Sequence, residues 1–118
     1  MKFFSPDSSV TTDVTAEESL VIRIALDSGP SGTRIGIASL ATLEEHLIDC
    51  LHHYRAGEFD GNEFTDYEVF FYAYGPSAEQ LLAAVRPALE NFPLRPIQVL
   101  MRYGPYQDET APSSVINI

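Results

Sequence analysis

The sequence predicts an α+β domain in which one antiparallel sheet carries two helices. Three observations predict it. The chain has six Tyr and seven Phe, and five of these fall within the eight residues Tyr67–Tyr74. Aromatic and β-branched residues suit a pleated, buried surface, so this run reads as a central strand. Strict alternation marks two more strands, Leu20–Leu26 and Ile97–Tyr103. Two stripes at helical spacing lie between the strands: Leu40, Leu43, Leu47, Cys50, Leu51 and Tyr54, then Ala78, Leu81, Leu82, Val85 and Leu89.

Taken in order, residues 1–18 are polar and read as a mobile arm, with a short strand suggested at Lys2-Phe3-Phe4. Leu20–Leu26 puts Leu20, Ile22, Ile24 and Leu26 on one face and Val21, Arg23 and Ala25 on the other. Asp27–Gly32 is a loop. Thr33–Leu40 is compatible with a short strand or with an early helix start capped by Thr33. From Thr42 the helix is plain, because Thr42 and Glu45 have capping-box spacing, and Gly57 is the expected stop. Glu58–Phe64 is short, acidic and contains a glycine, as edge strands often are. Gly75-Pro76 breaks the chain after the aromatic strand. Ser77 and Gln80 then form a second capping box, and Pro87 predicts a kink or an early end near Arg86. Residues 105–113 read as loose, and Ser114–Ile118 alternates as an added edge strand would. The order βαββαβ with right-handed crossovers gives a ferredoxin-like, split βαβ arrangement: a four-stranded antiparallel sheet with both helices on one face.

Composition narrows the classes of function. At 118 residues the chain is one domain, 1–118, and long enough to bury a core. It has no apolar run near the ~20 residues of a membrane span, and its first residues do not read as a signal peptide. A single cysteine, Cys50, excludes an internal disulfide and fits the reducing cytoplasm. Seventeen acids stand against seven bases, a formal charge of −10. That balance argues against sequence-independent nucleic-acid binding and is compatible with a basic protein partner or with solubility alone.

The second half carries a resemblance. Asp60-Gly61-Asn62-Glu63, the aromatic strand, Tyr74-Gly75-Pro76-Ser77-Ala78 and Arg102-Tyr103-Gly104 resemble a group of small uncharacterised bacterial proteins over residues 40–104. The resemblance implies a bacterial cytosolic domain and brings no established activity with it. It also implies a first helix that starts soon after a Gly-Thr pair, here Gly32-Thr33.

The sharpest candidate site is the sheet face away from the helices. Arg23, Phe70, Tyr72, Tyr74 and Arg102 stand there with Val21, Gln98 and Leu100. Three aromatics and two arginines make a contact surface. Cover by the chain's own ends or by a second subunit is the bland alternative. Asp60, Asn62 and Glu63 are secondary contacts; a regular strand puts Asp60 and Asn62 on one face and Glu63 on the other, and an edge strand with a glycine bulge is the bland alternative. His46, Asp49 and His53 share a flank of the first helix but span about 10 Å of rise, too long for one ion, and a solvated flank is the simpler reading. Cys50 within the apolar stripe reads as a small buried hydrophobe. Ser28–Arg34 lacks the Gly-Lys-Ser/Thr ending of a phosphate loop and reads as a plain loop. No catalytic residue, metal ligand or cofactor is expected. Two functions remain. One is a non-catalytic binding module that forms a homodimer or antagonises a basic partner, as an immunity protein would. The other is a small enzyme or ligand sensor with a pocket on the same face, where Arg23, Tyr72 and Arg102 would converge.

Overall fold

The structure is a computed structural model and describes residues 17–26, 37–105 and 108–118. The suggested strand at Lys2–Phe4, the cap at Thr33 and the loop Ser28–Arg34 lie outside the described residues. The elements are β1 (Glu18–Ala25), α1 (Ile37–His53), β2 (Glu58–Phe64), β3 (Glu68–Gly75), α2 (Ala78–Asn91), β4 (Ile97–Arg102) and β5 (Ser113–Asn117). They build an α+β fold with one open five-stranded sheet in the order β2-β3-β1-β4-β5, antiparallel at every step. The added edge strand is therefore a full member of the sheet. β1 starts at Glu18, so the polar arm ends two residues before the expected strand.

Alternation sorts the faces as expected. Leu20, Ile22 and Ile24 of β1, Val69, Phe71 and Ala73 of β3, and Ile97, Val99 and Met101 of β4 are buried. They share one cluster with Leu40, Leu43, Leu47 and Leu51 of α1 and with Leu81, Val85 and Leu89 of α2. Leu26 and Tyr103 pack at its margin. Tyr54, placed in the first stripe by spacing, lies beyond the last helical residue and is 64% exposed.

Helix ends differ from the sequence signals, each for a local reason. α1 begins at Ile37, the early start open to Thr33–Leu40, so Thr42 lies inside it, and its hydroxyl donates back to Ala38 O at 3.0 Å. Thr42 therefore does not cap: a threonine inside a helix bonds the preceding turn instead. At the other end, Ala56 N donates to Leu51 O at 2.9 Å and Arg55 N to His52 O at 3.2 Å. This pair of bonds is a Schellman closure, and its left-handed residue is Arg55, at φ 52, rather than Gly57. A side chain there is strained, so Arg55→Gly should raise stability by about 1 kcal/mol. Chemical unfolding checks this; an unchanged or lowered midpoint would show that the arginine side chain contributes more than the strain costs.

α2 runs through Pro87 to Asn91. Proline deprives the carbonyl four residues earlier of its donor. That residue is Ala83, which is exposed, so water can replace the missing bond. Ser77 caps α2 as expected, accepting from Gln80 N at 3.2 Å. A second cap has no sequence signal: Glu18 of β1 accepts from Ala78 N at 2.8 Å, placing a carboxylate at the positive end of the helix. Arg95 closes the far end by donating to the carbonyls of Phe92 at 2.6 Å, Leu94 at 2.7 Å and Glu90 at 3.0 Å.

Candidate binding face

The face opposite the helices is built by register. Val21 stands between Tyr72 of β3 and Leu100 of β4, and Leu100 stands opposite Val115 of β5. Tyr72, Val21, Leu100 and Val115 thus form one cross-strand row over four strands. Leu100 is 37% and Val115 55% exposed, while Phe70, Tyr72 and Tyr74 are half-buried. The Phe70 and Tyr72 rings lie nearly parallel, 16° apart in plane, with centroids 6.4 Å apart. Among the described residues no element covers this row.

Charged groups frame the row and are tied to their neighbours. Arg23 forms an ion pair with Glu68 and donates through Nη1 to Gln98 Oε1 at 2.9 Å. Arg102 donates to the carbonyl of Asp108, and its buried Nε has no partner among the described residues. Asp108 in turn accepts from the hydroxyl of Thr110 at 2.7 Å and from Thr110 N at 3.0 Å. Those two bonds, with the Arg102 charge behind them, hold its carboxyl below the usual carboxylate range. Tyr72 donates its hydroxyl to Glu63 Oε1 at 2.9 Å.

The acidic β2 edge carries a glycine bulge, as its sequence allows, rather than regular alternation. Phe59 pairs with Ala73 and Gly61 with Tyr72, so Asp60 is an extra residue. This is a β-bulge, and Gly61 adopts φ 112 within it. The bulge restarts the alternation. Asn62 falls opposite Phe71 on the helix side and donates to Glu44 of α1. Glu63 falls opposite Phe70 on the open face. Asp60 therefore joins Glu63 rather than Asn62, the reverse of the grouping a regular strand would give. The glycine in this acidic strand is the signal for the bulge, and the side to which each carboxylate turns follows from the pairing.

A pocket of about 260 Å³ opens at one end of the face, where Asp60, Tyr72 and Tyr74 meet Glu17, Glu18 and Ser19. Arg23 and Arg102 do not line it. Arg23 borders a separate hollow with Ala25, Pro96 and Gln98. The three groups expected to converge in an enzyme-like pocket are thus distributed over the face. A second groove, about 480 Å³, runs between α1 and the end of α2 past His46, Leu43 and Phe92.

The helix histidines are all exposed. His52 Nε2 lies 3.5 Å from a Glu58 oxygen, and His53 meets the Tyr54 ring edge-on. Among the described residues, no three of His, Cys, Asp and Glu gather closely enough to hold a metal ion. Cys50 is half-buried against the core. Among those residues, no helix is long and apolar enough to cross a membrane. Neither a family model, nor a curated protein, nor a solved structure matches this chain.

Proposed function

We propose that this protein is a non-catalytic protein-binding module and that its open sheet face is the contact surface. One observation carries the reading: the apolar row Tyr72–Val21–Leu100–Val115 runs across four strands, with Leu100 and Val115 exposed. Contiguous apolar surface of this kind marks interaction sites. Carboxylates border it at Asp60 and Glu63, and Glu17 lines the pocket at its end, while the two arginines are engaged within the chain. The surface therefore suits a partner with an apolar centre and a basic rim, in keeping with the net charge of −10. An acidic antagonist of a basic protein in a bacterial cytosol, as an immunity protein is, fits this chemistry. The strand order also supports a ferredoxin-like, split βαβ ancestry, since β2-β3-β1-β4 is the order of that arrangement, with β5 added outside it.

The test is a photo-crosslinking side chain placed at Leu100, with Ala83 on the helix side as the control, in the native cell. The expected result is one discrete adduct, to a basic protein, from position 100 and none from position 83. Adducts of equal yield from both positions, or none from position 100, would overturn the reading. A self-adduct from position 100 would mean that two copies meet through the face.

The pocket at Asp60, Tyr72 and Tyr74 favours a second reading, a small cationic ligand held by carboxylates against aromatic rings. Saturable binding of such a ligand, lost in Asp60→Asn, would support it over the first.

A further inference from the structure

The two edges of the sheet differ in how they meet solvent. β2 carries Glu58, Asp60 and Glu63 in seven residues and is broken by the bulge at Asp60-Gly61. Charge and bulges are the usual means by which an edge strand resists pairing with another chain. β5, reading Ser-Ser-Val-Ile-Asn, has no charge, no proline, no glycine and no bulge. Among the described residues no strand pairs with its outer side.

The geometry of β5 identifies its free groups. Ile118 N donates to Ile97 O at 2.9 Å, and Tyr103 N donates to Pro112 O at 2.9 Å. Even-numbered residues of this segment therefore turn their backbone toward β4. By alternation, Ser113, Val115 and Asn117 turn their N–H and C=O groups outward. All three are exposed.

We propose that this edge is a dimerisation site and that its occupant is the same strand of a second copy. Antiparallel pairing about a twofold axis at Val115 sets Val115 against its own image and Ser113 against Asn117. Each outward N–H then meets an outward C=O. Like charges placed directly opposite destabilise a strand pair, and β5 contains none. The acidic β2 edge lies at the far side of the sheet, with three strands between it and β5 in the order β2-β3-β1-β4-β5. Repulsion between two bodies of −10 is thus spread over distances at which ordinary salt screens it. The pairing also extends the apolar row. Val115 is its outer member, so the row would pass through the axis and continue as Val115, Leu100, Val21 and Tyr72 of the partner. A second copy is therefore a better match to this edge than a charged or unrelated strand. The proposal stands whether or not the open face binds another protein.

Val115→Pro is the discriminating variant. It removes an outward donor and leaves the β4–β5 bonds untouched, a placement edge strands tolerate. The expected result is that sedimentation of the wild-type protein gives the mass of two chains at high micromolar concentration. Val115→Pro should weaken the dimer more than about tenfold, since the lost bond is counted on both subunits. Val115→Lys, which sets two like charges at the axis, should do the same and guards against a folding defect in the proline variant. Asp66→Lys, at the far hairpin, should leave the mass unchanged. Amide exchange gives a direct readout: Ser113, Val115 and Asn117 should be protected at high concentration and lose protection on dilution, while Ser114 and Ile116 stay protected throughout. A wild-type monomer at every concentration would overturn the proposal. So would a dimer unaffected by both Val115 variants, or outward amides that exchange freely while the dimer is intact.

Discussion

Phe71→Ala is expected to lower the stability of the fold by about 3–5 kcal/mol. Phe71 is 1% exposed and sits in the second strand of the sheet order, between β1 and β2. Ile22 lies opposite it on one side and Asn62 on the other. Its ring centroid is 6.1 Å from that of Phe59, tilted by 46°, so truncation removes an aromatic pair as well as buried area. Its neighbours Val69 and Ala73 are fixed by the strand and cannot swing in to fill the space. The control is Phe70→Ala, one residue along and on the open face, where the ring is half-buried. That change should cost about 1 kcal/mol, the transfer of a partly exposed ring without a cavity. Denaturant unfolding of the pair measures both. A loss below about 1 kcal/mol for Phe71→Ala, or the reverse ranking, would mean that the core lies on the other face.

The face assignment was legible because it depends only on period-two alternation and on the greater hydrophobicity of one side. Leu20, Ile22 and Ile24 against Val21 and Arg23 leave little choice, and the same contrast repeats in β4. Element ends were less legible, since several residues carry the same signal for different reasons. Thr42 and Glu45 have the spacing of a cap, but a helix that starts five residues earlier turns the same threonine into an interior one. Gly57 looks like a helix stop, yet a backbone that Arg55 has already turned leaves it another role. On the candidate face, Arg23, Phe70, Tyr72, Tyr74 and Arg102 could be placed by counting along strands. The same counting puts Glu68 and Gln98 on that face within reach of Arg23, but Glu63 and Asp108 reach Tyr72 and Arg102 only through the bulge or a loop. The bulge at Asp60 moved one carboxylate to the other face. Gly61 signals the bulge in the sequence, but which residue is the extra one, and so which carboxylate changes face, is set by the pairing partner. Val115 was the largest omission. It lies in a short uncharged strand far along the chain, and its importance comes from standing opposite Leu100.

The second large effect is expected where two glycines meet. The chain leaving α1 crosses the end of β3 so closely that neither strand has room for a side chain. A Cβ on Gly75 would stand 2.3 Å from Ala56 O and 3.1 Å from Gly57 Cα. A Cβ on Gly57 would stand 2.1 Å from Tyr74 O and 2.8 Å from Leu81 Cδ2. The obstacles are mainly backbone, which cannot rotate away as a side chain can. Ala56 is also pinned, since its N–H closes α1 on Leu51 O and its side chain is buried. On the other side, Gly75 leads within two residues to the Ser77 cap of α2. Moving the strands apart would therefore disturb the end of one helix and the start of the other. Gly75→Ala should cost on the order of 3 kcal/mol, at the upper end for overpacking. Gly61→Ala supplies the contrast. Nothing lies within 4 Å of its Cβ position, and only its φ of 112 opposes a side chain. That cost is about 1–2 kcal/mol. Unfolding midpoints of the two variants, measured side by side, should rank Gly75→Ala well below Gly61→Ala. Equal midpoints would show that the crossing opens by about 1 Å at little cost, and that the Gly57–Gly75 contact does not fix how α1 joins the sheet.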